Sequence, residues 1–337
     1  MVYQNYRSIL KQLKADLIGK DAHRGVTLTY SWLANQFGHF SLGFIPTVLL
    51  VRFFEHLYPQ KNDTLTGIVL VSLFWLIFES LNLLIPILFG SSNTIDPESD
   101  SFQTDWKNLI FDTFTDLCFF WSGAFAAGLI SDFSIYKLYT FGLLFMILAF
   151  CSYYWYGVKL SQNHAFYPFQ FRLSQWNKHL TTENKQKIQN YIENADDGQH
   201  MLVFGSTRSG KSSLSVGISN ELSIRGKCCF YTTASKLYGD FFYPERSLTY
   251  ETSFWTWREA EYLVIDDINP GLPVSDIVNP SNFLHLIDTY SAKNVNNRRE
   301  LRTKNIIWIL GKDHKGLWND MLIEIGVNEK DITSIYL

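Results

Sequence analysis

The stretch Gly205-Ser206-Thr207-Arg208-Ser209-Gly210-Lys211-Ser212 decides how this 337-residue chain is read. It fits the pattern G-x-x-x-x-G-K-[ST], and its flanks are of the required kind. An apolar run, His200 to Phe204, precedes it, and a helical run, Ser213 to Arg225, follows. Glycine at 205 and 210 lets the backbone wrap around phosphate oxygens, which the loop N–H groups and the helix N-terminus attract. In that arrangement Ser206, Thr207, Arg208, Ser209 and Ser213 line the phosphates. Lys211 reaches the outer phosphates and Ser212 offers its hydroxyl to Mg2+. The expected ligands are therefore ATP and Mg2+.

Such a loop needs a second half, an apolar strand ending in carboxylates. Glu261 to Ile268, EYLVIDDI, supplies it, with Asp266 standing 55 positions after Lys211. Asp266 is expected to bind Mg2+ and Asp267 to orient an attacking water. Lys227 to Thr233 and Lys304 to Leu310 read as further strands, and ASKLYGDFF and Ser281 to Asn294 as helices. This alternation predicts a mainly parallel sheet with helices on both faces. No LSGGQ-like signature stands ahead of the VIDD strand, which argues against an ABC transporter.

The order of P-loop, FYTTASKL, EYLVIDDI and a further apolar strand resembles helicase-loader and transposition-helper ATPases of the DnaC/IstB type, a clade of AAA+ proteins. The resemblance covers about residues 198 to 315. It implies ATP hydrolysis, assembly into homo-oligomers, and a polar sensor residue after the fourth strand. Gly311-Lys312-Asp313 stand there, so the sensor is unassigned, and no helical lid domain is evident. The resemblance also implies an arginine reaching in from a neighbouring subunit. Arg298, Arg299 and Arg302 are the candidates, and a solvated basic turn is the plainer reading of them. They form the one compact basic cluster able to touch nucleic acid, with no aromatic residues alternating among them. The net charge of −3 gives no bulk attraction for polyanions.

The apolar mass lies elsewhere. Phe37 to Tyr58, Gly67 to Gly90, Leu109 to Ile130 and Tyr136 to Tyr156 each approach or exceed the roughly 20 residues needed to cross a bilayer. Tyr153, Tyr154, Trp155 and Tyr156 suit an interfacial belt. Arg7, Lys11, Lys14, Lys20 and Arg24 precede the first span, against Lys61 alone between the first two. That bias predicts an inside N-terminus, and four spans return the chain inside, where ATP is. The loop between the second and third spans is acidic (Asp96, Glu98, Asp100, Asp105), which contributes little to orientation. No cleaved signal peptide is read in the first 36 residues. Cys118, Cys151, Cys228 and Cys229 have neither metal nor disulfide spacing.

Ionisable groups within spans are costly and mark candidate sites. His39 opens the first span, Glu79 and Asn82 share a face of the second, and Asp112 and Asp116 share a face of the third. The predicted topology puts all five at matching depth in the cytoplasmic half. They read either as a buried polar network fixing helix register, as a proton, metal or lipid-headgroup site, or as residues at the interface by chance. HFSLGF, FESLN and DTFTDLCFFWSGA, over roughly residues 38 to 128, resemble small membrane proteins of the VanZ-like and YjdF-like kind. That group brings no transferable chemistry.

The expected architecture is a four-span α-helical transmembrane bundle followed by an α/β P-loop NTPase domain with an AAA+-like parallel sheet. The boundaries are a cytosolic segment 1–36, spans within 37–158, a linker 159–197 and the ATPase domain 198–337. In the linker, HAFYPFQF (His164 to Phe171) reads as an extended exit, and Thr181 to Asn194 as a helix packing on the ATPase domain. Together these predict an integral membrane ATPase of the bacterial inner membrane kind, acting as an oligomeric switch or motor on a protein partner or on its own membrane domain. Two alternatives stand beside it. GSTRSGKS also resembles the loop of conjugative coupling ATPases, which pump DNA but have longer ATPase domains. Otherwise the membrane module conducts or catalyses, and ATP binding gates it.

Overall fold

Aliphatic and aromatic residues with almost no charge leave a helix as the arrangement that satisfies every backbone group without water. In the computed structural model, which describes residues 6–17, 28–59, 64–89, 102, 106–194, 197–242, 255–268, 279–288, 297–311 and 316–337, this is what they form. A short helix, α1 (Tyr6–Leu17), comes first. Four helices long and apolar enough to cross a membrane follow: α2 (Leu28–Leu57), α3 (Thr64–Phe89), α4 (Trp106–Ser131) and α5 (Ile135–His164). They overrun the predicted spans. α2 starts at Leu28 rather than Phe37, and α5 ends at His164 rather than Tyr156. Lipid thickness limits the apolar stretch, not the helix that contains it. Lys20, Arg24 and Lys61, on which the orientation reading draws, and the four acidic loop residues lie outside the described residues.

The chain divides into two compact units, one holding the helices up to Gly157 and the other Val158–Leu337. In the first, the usual burial order is inverted. Gly43, Thr47, Ser122, Gly123 and Glu79 are inside, whereas Phe37, Leu49, Ile77, Phe145 and Phe150 face out. Small and polar residues between helices with large apolar ones outside are what lipid, not water, selects. α2 and α4 touch backbone to backbone: a Cβ on Gly43 would stand 1.9 Å from the Phe120 carbonyl oxygen, and one on Gly123 2.0 Å from that of Phe40. Pro46 lies inside α2 and has no N–H for the carbonyl four residues back, that of Leu42. The Trp75 indole of α3 donates to that oxygen at 2.9 Å, and its ring stacks on Phe120 at 4.1 Å. One proline thus fixes where the third helix sits.

The second unit is built on a five-stranded sheet: β1 (His200–Phe204), β2 (Cys229–Thr233), β3 (Tyr262–Asp266), β4 (Asn305–Ile309) and β5 (Ile332–Tyr336). The order is β2-β3-β4-β1-β5, with every pairing parallel. β1 to β4 are the strands legible in the sequence; β5 is not. Alternate residues of β1 serve opposite faces. Leu202 and Phe204 join Phe230, Leu263 and Trp308 under α8 (Ala234–Phe242), α9 (Pro280–Asp288), α10 (Asn297–Thr303) and α11 (Leu317–Ile325). Met201 and Val203 join Val264 and Ile307 under α6 (Thr182–Asn194) and α7 (Lys211–Ile224). A sheet covered on both faces explains why its central strands are apolar without alternation.

The segment read as a linker belongs to this unit. Ala165, Leu173, Trp176 and Leu180 are buried in the same core as α6 and α7. The expected helix from Ser281 to Asn294 is described as α9, ending at Asp288; the residues after it lie outside the described set.

Candidate functional site

The glycine-rich stretch forms the connection between β1 and α7, at the carboxyl edge of the parallel sheet, where open α/β sheets bind ligands. Two of its residues are left-handed, Arg208 at φ +68° and Gly210 at φ +101°. Turning the backbone over this way directs successive N–H groups into one concavity, an anion nest at the N-terminus of α7. Ser206, Thr207 and Arg208 are exposed, and Gly205, Ser209, Lys211, Ser212 and Ser213 are half-buried around the concavity. The Ser209 hydroxyl oxygen is buried with no partner among the described residues, a donor left for a ligand.

Lys211 curls back over the loop and donates to the Gly205 and Ser206 carbonyls at 2.8 and 2.7 Å. Burial holds its amine below its ordinary value; Asp266 nearby pushes it up and Lys178 pushes it down. Lys178, which the sequence reading left aside, donates to the Arg208 carbonyl at 2.8 Å. Beside it, the Trp176 ring packs on Gly210 so closely that a Cβ there would meet it at 2.9 Å.

Asp266 ends β3 on the same edge of the sheet as the loop, two strands away, with β4 between them. Its carboxylate accepts from the Tyr231 hydroxyl on one oxygen and from the Asp267 N–H on the other, the latter at 2.7 Å. Tyr231 lies in the middle of β2, and was missed because a tyrosine in an apolar strand carries no signal of its own. Burial, then the hydrogen bond to Asp266, pushes its phenol far up, so it stays a donor. Asp267 is exposed and left-handed at φ +52°, a conformation that Asp tolerates and that turns its side chain out of the strand. Burial, with Asp266 adding to it, raises its carboxyl above the ordinary value.

The three arginines sit on α10 rather than in a turn. Arg298 is committed within its own chain: it grips the Asp288 carboxylate with two nitrogens, one at 2.6 Å, and donates to the Glu324 carbonyl at 3.2 Å. Arg299 and Arg302 are exposed. At the expected sensor position, Gly311 accepts from the Gly205 N–H at 3.0 Å, tying β4 to the loop, while Lys312 and Asp313 lie outside the described residues.

In the apolar helices, the structure brings the ionisable set together. His39 Nε2 lies 3.6 Å from Asp116 Oδ1, across α2 and α4, and the His39 ring meets Phe120 edge-on at 5.2 Å. Glu79 of α3 is buried, hydrogen-bonds Asn82, and lies within electrostatic reach of Asp112 and Asp116. Among the described residues no group of three His, Cys, Asp or Glu is close enough to hold a metal ion.

Two donors are of the hard-oxygen type that Mg2+ prefers, the Ser212 hydroxyl and the Asp266 carboxylate, and the orphaned Ser209 hydroxyl fits a phosphate oxygen. No family model matches the chain, and no curated protein matches it. A solved structure described as the crystal structure of the DnaI is similar over 46% of this chain and 84% of that chain, at 15% identity and a TM-score of 0.29. At that score the likeness carries no weight, and the site stands on its own geometry.

Proposed function

We propose that this chain is a membrane-anchored ATPase of the AAA+ kind, an oligomeric switch or motor that acts on a protein partner or on its own membrane helices. The observation that carries this reading is the placement of the Lys211 loop and the Asp266-Asp267 pair on one edge of a parallel sheet. Nest, lysine and helix N-terminus take the triphosphate, and Lys211 leaves the carbonyls of its own loop for the outer phosphates. Ser212 and Asp266 would hold Mg2+, which would neutralise charge at the phosphates, and Tyr231 fixes the orientation of the Asp266 carboxylate. Asp267 takes the proton of a water that attacks the terminal phosphorus as the bond to ADP breaks. Exposed Arg299 and Arg302 are the cations offered to a neighbouring subunit's site.

Both termini are assigned to the cytoplasm, on the basic N-terminal residues and the four apolar helices. ATP turnover by the detergent-purified protein tests the reading. Asp267→Asn should bind ATP normally yet turn over at least about a hundredfold more slowly. Normal turnover in Asp267→Asn would remove the assigned base. Binding without turnover in the parent protein would leave a switch driven by binding alone.

The meeting of His39, Glu79, Asp112 and Asp116 favours a second reading, in which the membrane module conducts or catalyses and ATP gates it. It requires that carboxylate substitutions there abolish function while sparing ATP hydrolysis.

A further inference from the structure

Residues 162–178 follow the apolar part of α5, meet the C-terminal half of α7 first and reach the loop at its start last. Gln162 donates to Asn220 at 2.8 Å, and Tyr167 shares hydrogen bonds with Ser219 and Ser223 at 2.9 and 2.7 Å. Asn220 donates to the Phe171 carbonyl at 2.9 Å, and Arg172 pairs with Glu221 at 2.9 Å. Leu173 then covers Gly217, where a Cβ would meet its Cα at 3.3 Å. The buried Trp176 covers Gly210, and Lys178 reaches the loop itself. α7 accordingly has Ser215, Ser219, Asn220, Glu221 and Ser223 buried, a polar set that an apolar-faced helix has no reason to carry.

At the end of this strap, the Lys178 amine stands 3.1 Å from the point where a Gly210 Cβ would be, beside the residue that opens α7. One of its three N–H groups serves Arg208, and the other two have no hydrogen-bond partner among the described residues. Two ammonium groups, Lys178 and Lys211, thus flank a loop whose own N–H groups already favour an anion. Packing two like charges at an anion nest is unfavourable unless polyanionic charge is what the loop receives. Lys178 is exposed, and its amine and the Trp176 ring both lie against Gly210, so a rotation of its side chain carries it from the Arg208 carbonyl to the phosphates.

We propose that Lys178 is a second phosphate-binding lysine of the nucleotide site, delivered to it by the strap 162–178. The proposal rests on the ATP-binding reading of the loop and deepens it. Two consequences follow. The strap is held at one end by α7 and at the other by the polyphosphate, so the segment leaving the last apolar helix senses whether ATP or ADP is present. The preference for ATP grows with the number of phosphates bound, because Lys178 answers to charge and not to the base.

Equilibrium binding of fluorescent N-methylanthraniloyl ATP and ADP to the full-length protein in detergent, with unlabelled AMP as competitor, tests this. Lys178→Ala should weaken ATP about tenfold, the loss of one charge-assisted hydrogen bond, weaken ADP less, and leave AMP unchanged. Lys178→Arg should restore most of the ATP affinity. Wild-type affinity for ATP in Lys178→Ala would overturn the proposal. An equal loss for ATP, ADP and AMP would also overturn it, since that marks a lysine that merely holds the strap. Lys211→Ala separates the two layers: it must lose ATP whatever Lys178 does. If Lys211→Ala binds ATP like wild type, or the wild type binds none, the nucleotide reading falls and the Lys178 proposal with it.

Discussion

The phosphate loop and the polar cluster of the apolar helices are both sites of converging charge, yet they are made in opposite ways. The loop is made by backbone within eight consecutive residues, held by left-handed turns at Arg208 and Gly210. Its specificity lies in where N–H groups point, so the sequence announces it in one motif. The cluster is made by side chains from three helices, His39, Glu79 and Asp116, each marked in the sequence as a polar group in an apolar stretch but with no motif joining them. What gathers them is close helix approach at Gly43 and Gly123 and the Pro46–Trp75 contact. A backbone site survives change around it; a side-chain site depends on helix spacing. The contrast can be broken at several points.

The largest effect is expected in the apolar helices. Gly43→Leu puts a Cβ within 1.9 Å of the Phe120 backbone, which cannot yield as a side chain would. α2 and α4 must separate, at a cost above the ~1–3 kcal/mol usual for overpacking. Thermal denaturation in detergent should show the bundle lost at low temperature while the second unit still binds ATP; an unshifted bundle transition would contradict the packing described. Next comes Trp176→Ala. Truncating this buried indole should destabilise the second unit by about 3–5 kcal/mol and weaken ATP binding, because the strap loses its hold on Gly210. Stability lost with affinity intact would mean that the strap packs without serving the site.

A smaller effect follows pH. His200 is buried, accepts from the Trp308 indole at 3.0 Å, and is pushed by burial down to about 4 from 6.5. The unfolded chain takes the proton more readily, so the stability that neutral His200 contributes is complete above pH 6.5 and is lost as pH falls through 4. The loss is about 3 kcal/mol across that window. Asp240, raised by burial to about 6, titrates with the opposite sign and is common to both proteins when His200→Gln is compared with wild type. The difference between their urea midpoints should shrink between pH 7 and pH 4, and a constant difference would contradict a neutral His200. The smallest effect is expected from Asp112→Asn with Asp116→Asn. ATP turnover should change less than about twofold, since neither carboxylate belongs to the loop. A large fall would show that the two sites are coupled.

Much of the architecture was legible because its signals are local. Four long apolar stretches give four helices, and hydrophobic runs leading into the Gly205–Ser212 loop or ending in Asp266 give β1 and β3. β5 was not read: Ile332–Tyr336 pairs by one edge only, and Ile335 alone of its residues is fully buried, so it lacks the continuous apolar run of the central strands. The strap was misread for a related reason. Leu173, Trp176 and Leu180 stand three and four apart but form only a single short 3-10 turn at Leu173–Gln175, and polarity around them resembles a linker. Their role comes from α7, whose buried polar residues the strap covers. Tyr231 and Lys178 are likewise side chains whose meaning depends on a neighbour in space. Arg298 shows the converse. A basic cluster looked free, and the fold ties its first member to Asp288.

The central claim is that ATP at the Lys211 loop drives this protein's behaviour. Light-scattering mass of the detergent-purified protein, with and without MgATP, compared between wild type and Lys211→Ala, tests it most directly. The account predicts an ATP-dependent rise in mass for the wild type alone, with turnover lost in Lys211→Ala. A mass that ignores ATP in both, with turnover unaffected by the substitution, would contradict it.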